Sequence, residues 1–161
     1  MFLEEHSRLP HVVDNDRVEM HWNMPIVTDV HNRPDIMVWD KREKRIWIIE
    51  ISVSWYTRIA RQERRKLHKY DTNSNLAEET AAEDFYPGPN LRAAMQRERN
   101  CRIDVIPIVL GTCGECSTNL PRHVNSIELP DKTDWIIEKL ERNAALVTNR
   151  LVKCHLANTD L

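Results

Sequence analysis

The sequence lacks long apolar segments, and this absence excludes a class of protein. No apolar run approaches the roughly 20 residues of a membrane-spanning helix, so we expect no membrane partner. The N-terminus has no basic region followed by an apolar core, so no signal peptide is predicted and we expect a nuclear or cytoplasmic location. The chain has only four cysteines, which fits a reducing compartment.

A strong net charge is also lacking. The formal net charge is −2, so the bulk charge gives no sign of a nucleic-acid-binding protein. Hydrophobic residues make up 41% and charged residues 30% of the 161 positions, which is ordinary for a globular protein. This length predicts a single domain spanning residues 1–161.

Positive charge is nevertheless concentrated in one short segment. Six cations surround the single acid Glu63, and they are Arg58, Arg61, Arg64, Arg65, Lys66 and Lys69. A basic stripe of this kind can neutralise phosphates. The alternative is a solvated helix face, which is the commoner explanation of a charge run.

Two runs rich in β-branched and aromatic residues surround the charged residues 41–44, a pattern that predicts a β-hairpin. If those four residues form the loop, Asp40 pairs with Arg45. In the same register Asp35 falls directly opposite Glu50. Paired side chains share a face with their Cβ atoms about 5 Å apart, where two carboxylates repel. A divalent cation between them would offset the repulsion, because hard cations take oxygen ligands.

A simpler interpretation of the same residues stays open. Asp35 can begin a strand near a turn, and Glu50 can lie on a solvated face. Against this, Glu50 sits within an isoleucine-rich run that reads as buried on both faces, where unpaired carboxylates are rare. A one-residue change in the loop would reverse the face that each side chain takes.

A helix is predicted over residues 57–70, after the hairpin. On a helical wheel Lys66 lies near the middle of the face expected to meet the sheet, and Lys69 flanks that face. Either lysine can bury its stem and leave its ammonium in water. Alternatively, one of them reaches the carboxylate pair and offers positive charge to a phosphate.

The remaining pattern predicts an α/β fold, with a mixed central sheet flanked by helices. Strands are expected over residues 18–22, 26–30 and 102–110, with Pro107 marking an edge strand or a bulge. Helices are expected over residues 76–85, 91–100 and 132–156. The last helix carries an apolar stripe that we assign to core packing, and its members are Ile136, Leu140, Ala144, Val147, Leu151 and Cys154.

Two carboxylates followed by a lysine resemble the site of the restriction-endonuclease-like PD-(D/E)xK nucleases. The usual lysine position, two residues after the acid, is Ser52 here. The chain resembles more closely the restriction-like endonuclease domain of R2-type non-LTR retrotransposon and reverse-transcriptase-like proteins. That family has Arg/Lys-Pro-Asp, a spacer, an acid, and a lysine displaced to the next helix. This chain has Arg33-Pro34-Asp35, fourteen intervening residues, Glu50, and then Lys66-Leu67-His68-Lys69-Tyr70.

The resemblance implies roles for particular residues. Asp35 and Glu50 would be ligands of Mg²⁺ or Mn²⁺, and Lys66 or Lys69 would be the displaced lysine. Asp29 would be a further acid near the metal, although a loop or capping role explains its position equally well. Tyr70 would pack the helix onto the sheet.

The resemblance further implies a metal-dependent DNA endonuclease that nicks DNA to leave a 3′-hydroxyl and a 5′-phosphate. The expected partners are DNA and either a second copy of the chain or the reverse transcriptase domain of a larger polyprotein. Such domains usually accompany a reverse transcriptase, which is missing here, so the chain would be a fragment or a standalone derivative. One alternative is therefore a catalytically decayed module of the same fold that binds nucleic acid or dimerises.

The cysteine spacing leaves a further alternative, a small zinc-stabilised interaction domain. Cys113 and Cys116 form one CxxC pair, whereas a structural zinc site normally needs four ligands. The spare candidates set no recognised framework, and they are Cys101, His123, Cys154 and His155. A redox pair or four ordinary reduced cysteines are the other interpretations.

Overall fold

A computed structural model describes residues 12–23, 33–70, 91–127 and 132–159. Within these ranges the chain forms five strands and four helices, in the order β1, β2, β3, β4, α1, α2, β5, α3, α4. The strands are β1 (Val12–Asp14), β2 (Val18–Trp22), β3 (Ile36–Asp40), β4 (Arg45–Ser54) and β5 (Arg102–Gly111). The helices are α1 (Ile59–Tyr70), α2 (Leu91–Arg99), α3 (Leu120–Asn125) and α4 (Thr133–Thr159), and a 3₁₀ turn (Tyr56–Arg58) precedes α1.

The described strands form one mixed sheet in the order β1-β2-β3-β4-β5. The predicted α/β class, with a mixed sheet and flanking helices, is confirmed. Strand β5 lies at the edge of the described sheet, as Pro107 within it predicted. Proline has no backbone N–H to donate to a sheet, so it is tolerated where that side of the strand has no neighbour. The expected strand 26–30 and helix 76–85 lie outside the described residues.

The hairpin has the predicted register. Strands β3 and β4 pair antiparallel, from Ile36 opposite Ile49 to Asp40 opposite Arg45. Residues 41–44 form the loop, as expected. A shift of one residue would have reversed the face of every side chain on the strand, so this register decides where the candidate carboxylates point.

Local hydrogen bonds explain why the loop takes this form. The Asp40 Oδ1 atom accepts hydrogen bonds from the backbone N–H groups of Arg42 (2.9 Å) and Glu43 (3.0 Å). The hydrogen bond from the Glu43 N–H is the largest cause that holds the pKa of Asp40 below its usual value. Burial opposes this effect, whereas the bond from the Arg42 N–H and the positive charge of Arg17 act in the same direction. Lys44 completes the turn with a φ of 48°, in the left-handed region.

The tertiary contacts form two compact units. The first comprises the described residues within 1–50 and 68–105, and the second those within 51–67 and 106–161. The first unit has an apolar core, whose fully buried members are Met37, Ile46, Ile48, Tyr70, Leu91, Met95, Cys101 and Ile103. Tyr70 therefore packs in a core, as the sequence predicted. The single-domain assignment stays a prediction.

The second unit includes α3, a helix that the sequence analysis did not predict. It is only six residues long and carries Pro121 in its first turn, a position that suits proline. Its residues Leu120 and Val124 are buried. The loop before it approaches α4 closely, because a Cβ built on Gly114 would lie 2.7 Å from the backbone oxygen of Glu141.

Only Ala144 of the predicted stripe on α4 is buried, while Ile136 and Leu140 before it are half-buried. Ala144 is 7% exposed, whereas Val147 is 58% and Leu151 65% exposed, and Cys154 is also exposed. The assignment of the whole stripe to core packing was therefore wrong. Helical spacing shows that apolar side chains share a face, but it does not show that a partner covers the entire length of that face.

Candidate functional site

Glu50 is a buried carboxylate at the end of the buried part of β4. Strand residues 46–50 are all buried, and Glu50 itself is 1% exposed. The β-branched composition of this run suits a strand packed on both faces. A carboxylate placed there must be compensated by partners, because transfer of an unpaired charge from water to a protein interior is very costly.

Two consecutive residues at the end of α1 supply those partners. The Tyr70 hydroxyl donates a short hydrogen bond to Glu50 Oε1. The Lys69 ammonium lies 3.4 Å from the same oxygen and donates to the Tyr70 hydroxyl oxygen at 2.8 Å. We call these three residues the Glu50 cluster. All of them lie in the first unit.

The Tyr70 phenol stays protonated within this cluster. Burial is the largest cause that raises its pKa well above the usual value, followed by the hydrogen bond to Glu50 and by the negative charges of Glu50 and Asp35. The phenol is therefore a permanent donor to Glu50 at neutral pH. Because the negative charge of Asp35 contributes to this rise in the pKa of Tyr70, Asp35 acts electrostatically on the Glu50 cluster.

Asp35 directly precedes β3 and is half-buried. Its backbone carbonyl accepts a hydrogen bond from the N–H of Asn23 at 2.8 Å, and the preceding Pro34 is buried. The described ladder ends with Ile36 opposite Ile49. Asp35 stands one residue before this ladder, and continuing the same register by one step would bring it opposite Glu50, on the same face of the hairpin.

The two candidate lysines have different surroundings. Lys69 belongs to the first unit and contacts Glu50, while 40% of its side chain remains exposed. Its ammonium also lies 4.7 Å from the centroid of the Tyr70 ring. Lys66 is half-buried and belongs to the second unit. Lys69 is thus a charge that meets both a buried carboxylate and solvent.

Asp35 and Glu50 together would supply the oxygen donors that suit a hard divalent cation. Asp35 and Glu50 offer carboxylate oxygens, and Mg²⁺ is commonly held by one or two carboxylates together with water and phosphate oxygens. Over the described ranges, no group of three or more His, Cys, Asp or Glu side chains is arranged to hold a metal. Asp29, the third expected acid, lies outside those ranges.

A second buried carboxylate, that of Glu63 on α1, forms a cluster with partners that the sequence did not predict. It is 5% exposed and accepts hydrogen bonds from Ser117 Oγ (2.9 Å), Asn119 Nδ2 (3.2 Å) and His123 Nε2 (2.7 Å). Ser117 is bonded to the carboxylate and not to the imidazole, so these residues are not a nucleophile with its base. The network joins α1 to the loop before α3 within the second unit. The available signal was a carboxylate on the inward face of a predicted helix.

The cysteines have different environments. Cys101 is buried in the core of the first unit, and Cys113 and Cys154 are exposed. Cys116 donates to Glu141 Oε1 at 3.1 Å, and burial, followed by this bond, raises the pKa of its thiol. A thiol that stays protonated is a weak nucleophile and metal ligand. His123, a spare zinc candidate, is bonded to Glu63.

No model of a known protein family and no curated protein sequence matches this chain. The resemblance to the retrotransposon nucleases therefore stays a prediction. Among the described helices, none is both long enough and apolar enough to cross a membrane.

Proposed function

We propose that the chain is a Mg²⁺- or Mn²⁺-dependent DNA endonuclease domain with a restriction-endonuclease-like fold. The observation that carries the proposal is the contact of Lys69 with the buried Glu50, on a hairpin whose observed register ends one residue short of Asp35 and Glu50. The displaced-lysine pattern requires a strand acid, a second acid near the start of the neighbouring strand and a lysine from the next helix, and Glu50, Asp35 and Lys69 match it in this order.

Each residue of the set has a distinct role in this proposal. Asp35 and Glu50 would hold the cation, which supplies Lewis-acid activation of water and neutralises charge on the scissile phosphate. Lys69, whose side chain is 40% exposed, offers its ammonium to a phosphate oxygen as negative charge develops there. Tyr70 fixes the Glu50 carboxylate and the Lys69 ammonium through one hydroxyl, so that both keep their positions before substrate arrives.

Lys69, rather than Lys66, is the lysine that we assign to the reaction. Its Nζ atom is 3.4 Å from Glu50 Oε1, within ion-pair distance, and it retains contact with solvent. A charge that is too deeply buried would not reach a phosphate, and one that is fully solvated would be screened by water and salt.

A decayed module is the second candidate, and one feature of the same cluster favours it. Glu50 already has two partners in Tyr70 and Lys69, so the cluster satisfies a buried carboxylate without any metal. In that case the residues would stabilise the fold only. Metal binding separates the two candidates, because a purely structural cluster has no reason to bind a divalent ion.

Nicking of supercoiled plasmid DNA in Mg²⁺ or Mn²⁺ tests the proposal. We expect Glu50→Gln and Lys69→Met to lower the nicking rate by at least about 100-fold, since the first removes a ligand of the cation and the second removes positive charge that stabilises the transition state. Glu43→Gln on the exposed hairpin loop and Lys66→Met on α1 are matched controls and should keep most of the activity.

Titration with Mn²⁺ by calorimetry supplies a readout that does not depend on catalysis. Wild-type protein should bind the ion, and Glu50→Gln should bind it much more weakly while its circular dichroism remains that of the folded chain. Nicking by Glu50→Gln at the wild-type rate would refute the catalytic proposal. No nicking and no Mn²⁺ binding by the wild-type protein would also refute it, and salt-sensitive DNA binding by the same protein would then favour the decayed module.

A further inference from the structure

Two large aromatic side chains stand next to each other in water, directly before the basic helix. Trp55 and Tyr56 are each 67% exposed. Trp55 has an extended backbone (φ −62°, ψ 142°), so it continues the alternation of β4 and shares a face with the exposed Val53 and Ile51. Trp55 therefore extends a row of exposed apolar residues along one face of β4, and Tyr56 follows it directly in the chain; exposed apolar surface of this kind marks interaction sites.

The backbone holds this pair of rings in a defined turn. The N–H of Arg58 donates to the carbonyl of Trp55 at 2.8 Å, closing the 3₁₀ turn that leads into α1. A ring carried on a hydrogen-bonded turn loses less conformational entropy on binding than one on a loose loop. The pair is therefore partly pre-organised for a flat ligand.

The other described indole rings with cation contacts use cations of this chain. Arg99 lies 4.6 Å from the Trp39 ring centroid, Arg45 5.0 Å from that of Trp47, and Lys139 5.8 Å from that of Trp135. No such contact to Trp55 or Tyr56 occurs among the described residues. Their faces remain open to an external partner.

The charge beside the rings is positive. Arg58, Arg61 and Arg65 are exposed, and they fall within about 60° of one another on a helical wheel. The only acid in this stretch of α1 is Glu63, which is buried and hydrogen-bonded to three side chains. It therefore presents little negative charge at the surface, and the surface beside Trp55 attracts anions.

We propose that Trp55, Tyr56, Arg58 and Arg65, here called the Trp55 platform, bind unpaired bases of single-stranded DNA. A single strand exposes both flat base faces and phosphates, whereas a duplex hides the faces within its stack. The choice of DNA rests on the proposed nuclease function, for which the platform would hold unpaired bases of the DNA substrate. An acidic protein or an anionic membrane would also meet the positive charge, but neither presents flat bases on which the two rings can stack.

Fluorescence anisotropy with a labelled strand of about 12 nucleotides tests the platform, since single-strand sites commonly cover ~4–16 nucleotides. The protein is the full chain carrying Glu50→Gln, in EDTA, so that the probe is not cut. Trp55→Ala should weaken binding by about 5- to 100-fold, the range expected for loss of one base stack. Trp55→Phe should restore most of it.

The matched control is Trp135→Ala, which removes another exposed indole (58%) from α4 of the same unit and should leave the affinity unchanged. Arg65→Gln should reduce the slope of log affinity against log salt by about 0.7, the value for one phosphate contact on a single strand. Arg150→Gln, an exposed cation of α4, should not.

Competition experiments separate bases from backbone and from other occupants. An abasic strand, the matching duplex and anionic vesicles should each compete much less well than the single strand. Equal competition by any of them, or equal affinities of Trp55→Ala and Trp135→Ala, would overturn the platform. Plasmid nicking without selective single-strand binding would leave the nuclease proposal standing and remove this one. Trp55-dependent binding without nicking would leave the platform standing and remove the nuclease proposal.

Discussion

Replacement of Tyr70 by phenylalanine removes one hydroxyl from the Glu50 cluster and leaves the ring in the core. The ring is fully buried, so no cavity larger than an oxygen atom is created. Glu50 Oε1 then loses its short bond and keeps the Lys69 ammonium at 3.4 Å. A hydrogen bond to a charged group contributes about 1.5–3 kcal/mol. We expect the free energy of unfolding to fall by about 2 kcal/mol, or Tm by about 4–8 °C for a chain of this size.

The same variant should also change the response to alkali. The pKa of Tyr70 is raised in the folded protein, so the folded state holds a proton that the unfolded state releases above pH ~10. Tyr70 therefore leaves the free energy of unfolding unchanged below pH ~10 and lowers it as the pH rises further, because only the unfolded state can release the proton. At pH 11 this effect lowers the free energy of unfolding of the wild-type protein by about 1.4 kcal/mol, and Tyr70→Phe should not show that loss.

Urea unfolding followed by circular dichroism at pH 7, 10 and 11 measures both effects. Tyr56→Phe is the matched control, because Tyr56 is 67% exposed and loss of its hydroxyl should change the stability very little. Equal stability of Tyr70→Phe and Tyr56→Phe at pH 7 would show that the bond to Glu50 stabilises nothing. An unchanged loss between pH 10 and 11 in Tyr70→Phe would assign the alkaline sensitivity to other groups.

Two further predictions concern the second unit. Glu63→Ala leaves three donors without their acceptor and should cost about 3 kcal/mol or more, whereas Glu63→Gln should cost less; equal urea midpoints for Glu63→Ala and wild type would contradict the structural role. Gly114→Ala should cost about 2 kcal/mol, because φ is +95° and the new Cβ would meet the Glu141 backbone oxygen. Gly111→Ala should be milder, because its Cβ would meet only the flexible Glu115 side chain, and a thermal melt that ranks the two in the opposite order would refute this reasoning.

The sequence predicted the elements whose determinants are local. The hairpin register followed from a four-residue charged loop, and Asp40 fixes that loop by bonds to its own neighbours. Helix α1 followed from apolar periodicity, and its observed start at Ile59 follows a 3₁₀ turn that the pattern does not distinguish from the helix. These features depend on residues within a few positions of each other.

Features that depend on distant residues were not predictable in the same way. The three partners of Glu63 lie 54–60 positions further along the chain, and no spacing rule connects them. The exposure of Val147 and Leu151 depends on what packs against α4, which a helical wheel does not contain. The wheel also favoured Lys66 over Lys69, although a flexible four-carbon stem lets a flanking lysine reach a carboxylate.

The energetics of the Glu50 cluster favour a role beyond folding. An apolar residue at a strand position that is 1% exposed would stabilise a core by burial alone, and replacement of buried ionic groups by apolar ones is often neutral or stabilising. The chain instead places a carboxylate there, adds a tyrosine that is permanently protonated, and brings up a lysine whose side chain is 40% exposed. A structural cluster gains little from a charge that remains in contact with water, because water screens the pair. A site that binds a phosphate needs a cation that solvent can reach. For this reason the 40% exposed side chain of Lys69 supports the proposed nuclease function more strongly than the buried Glu50 does.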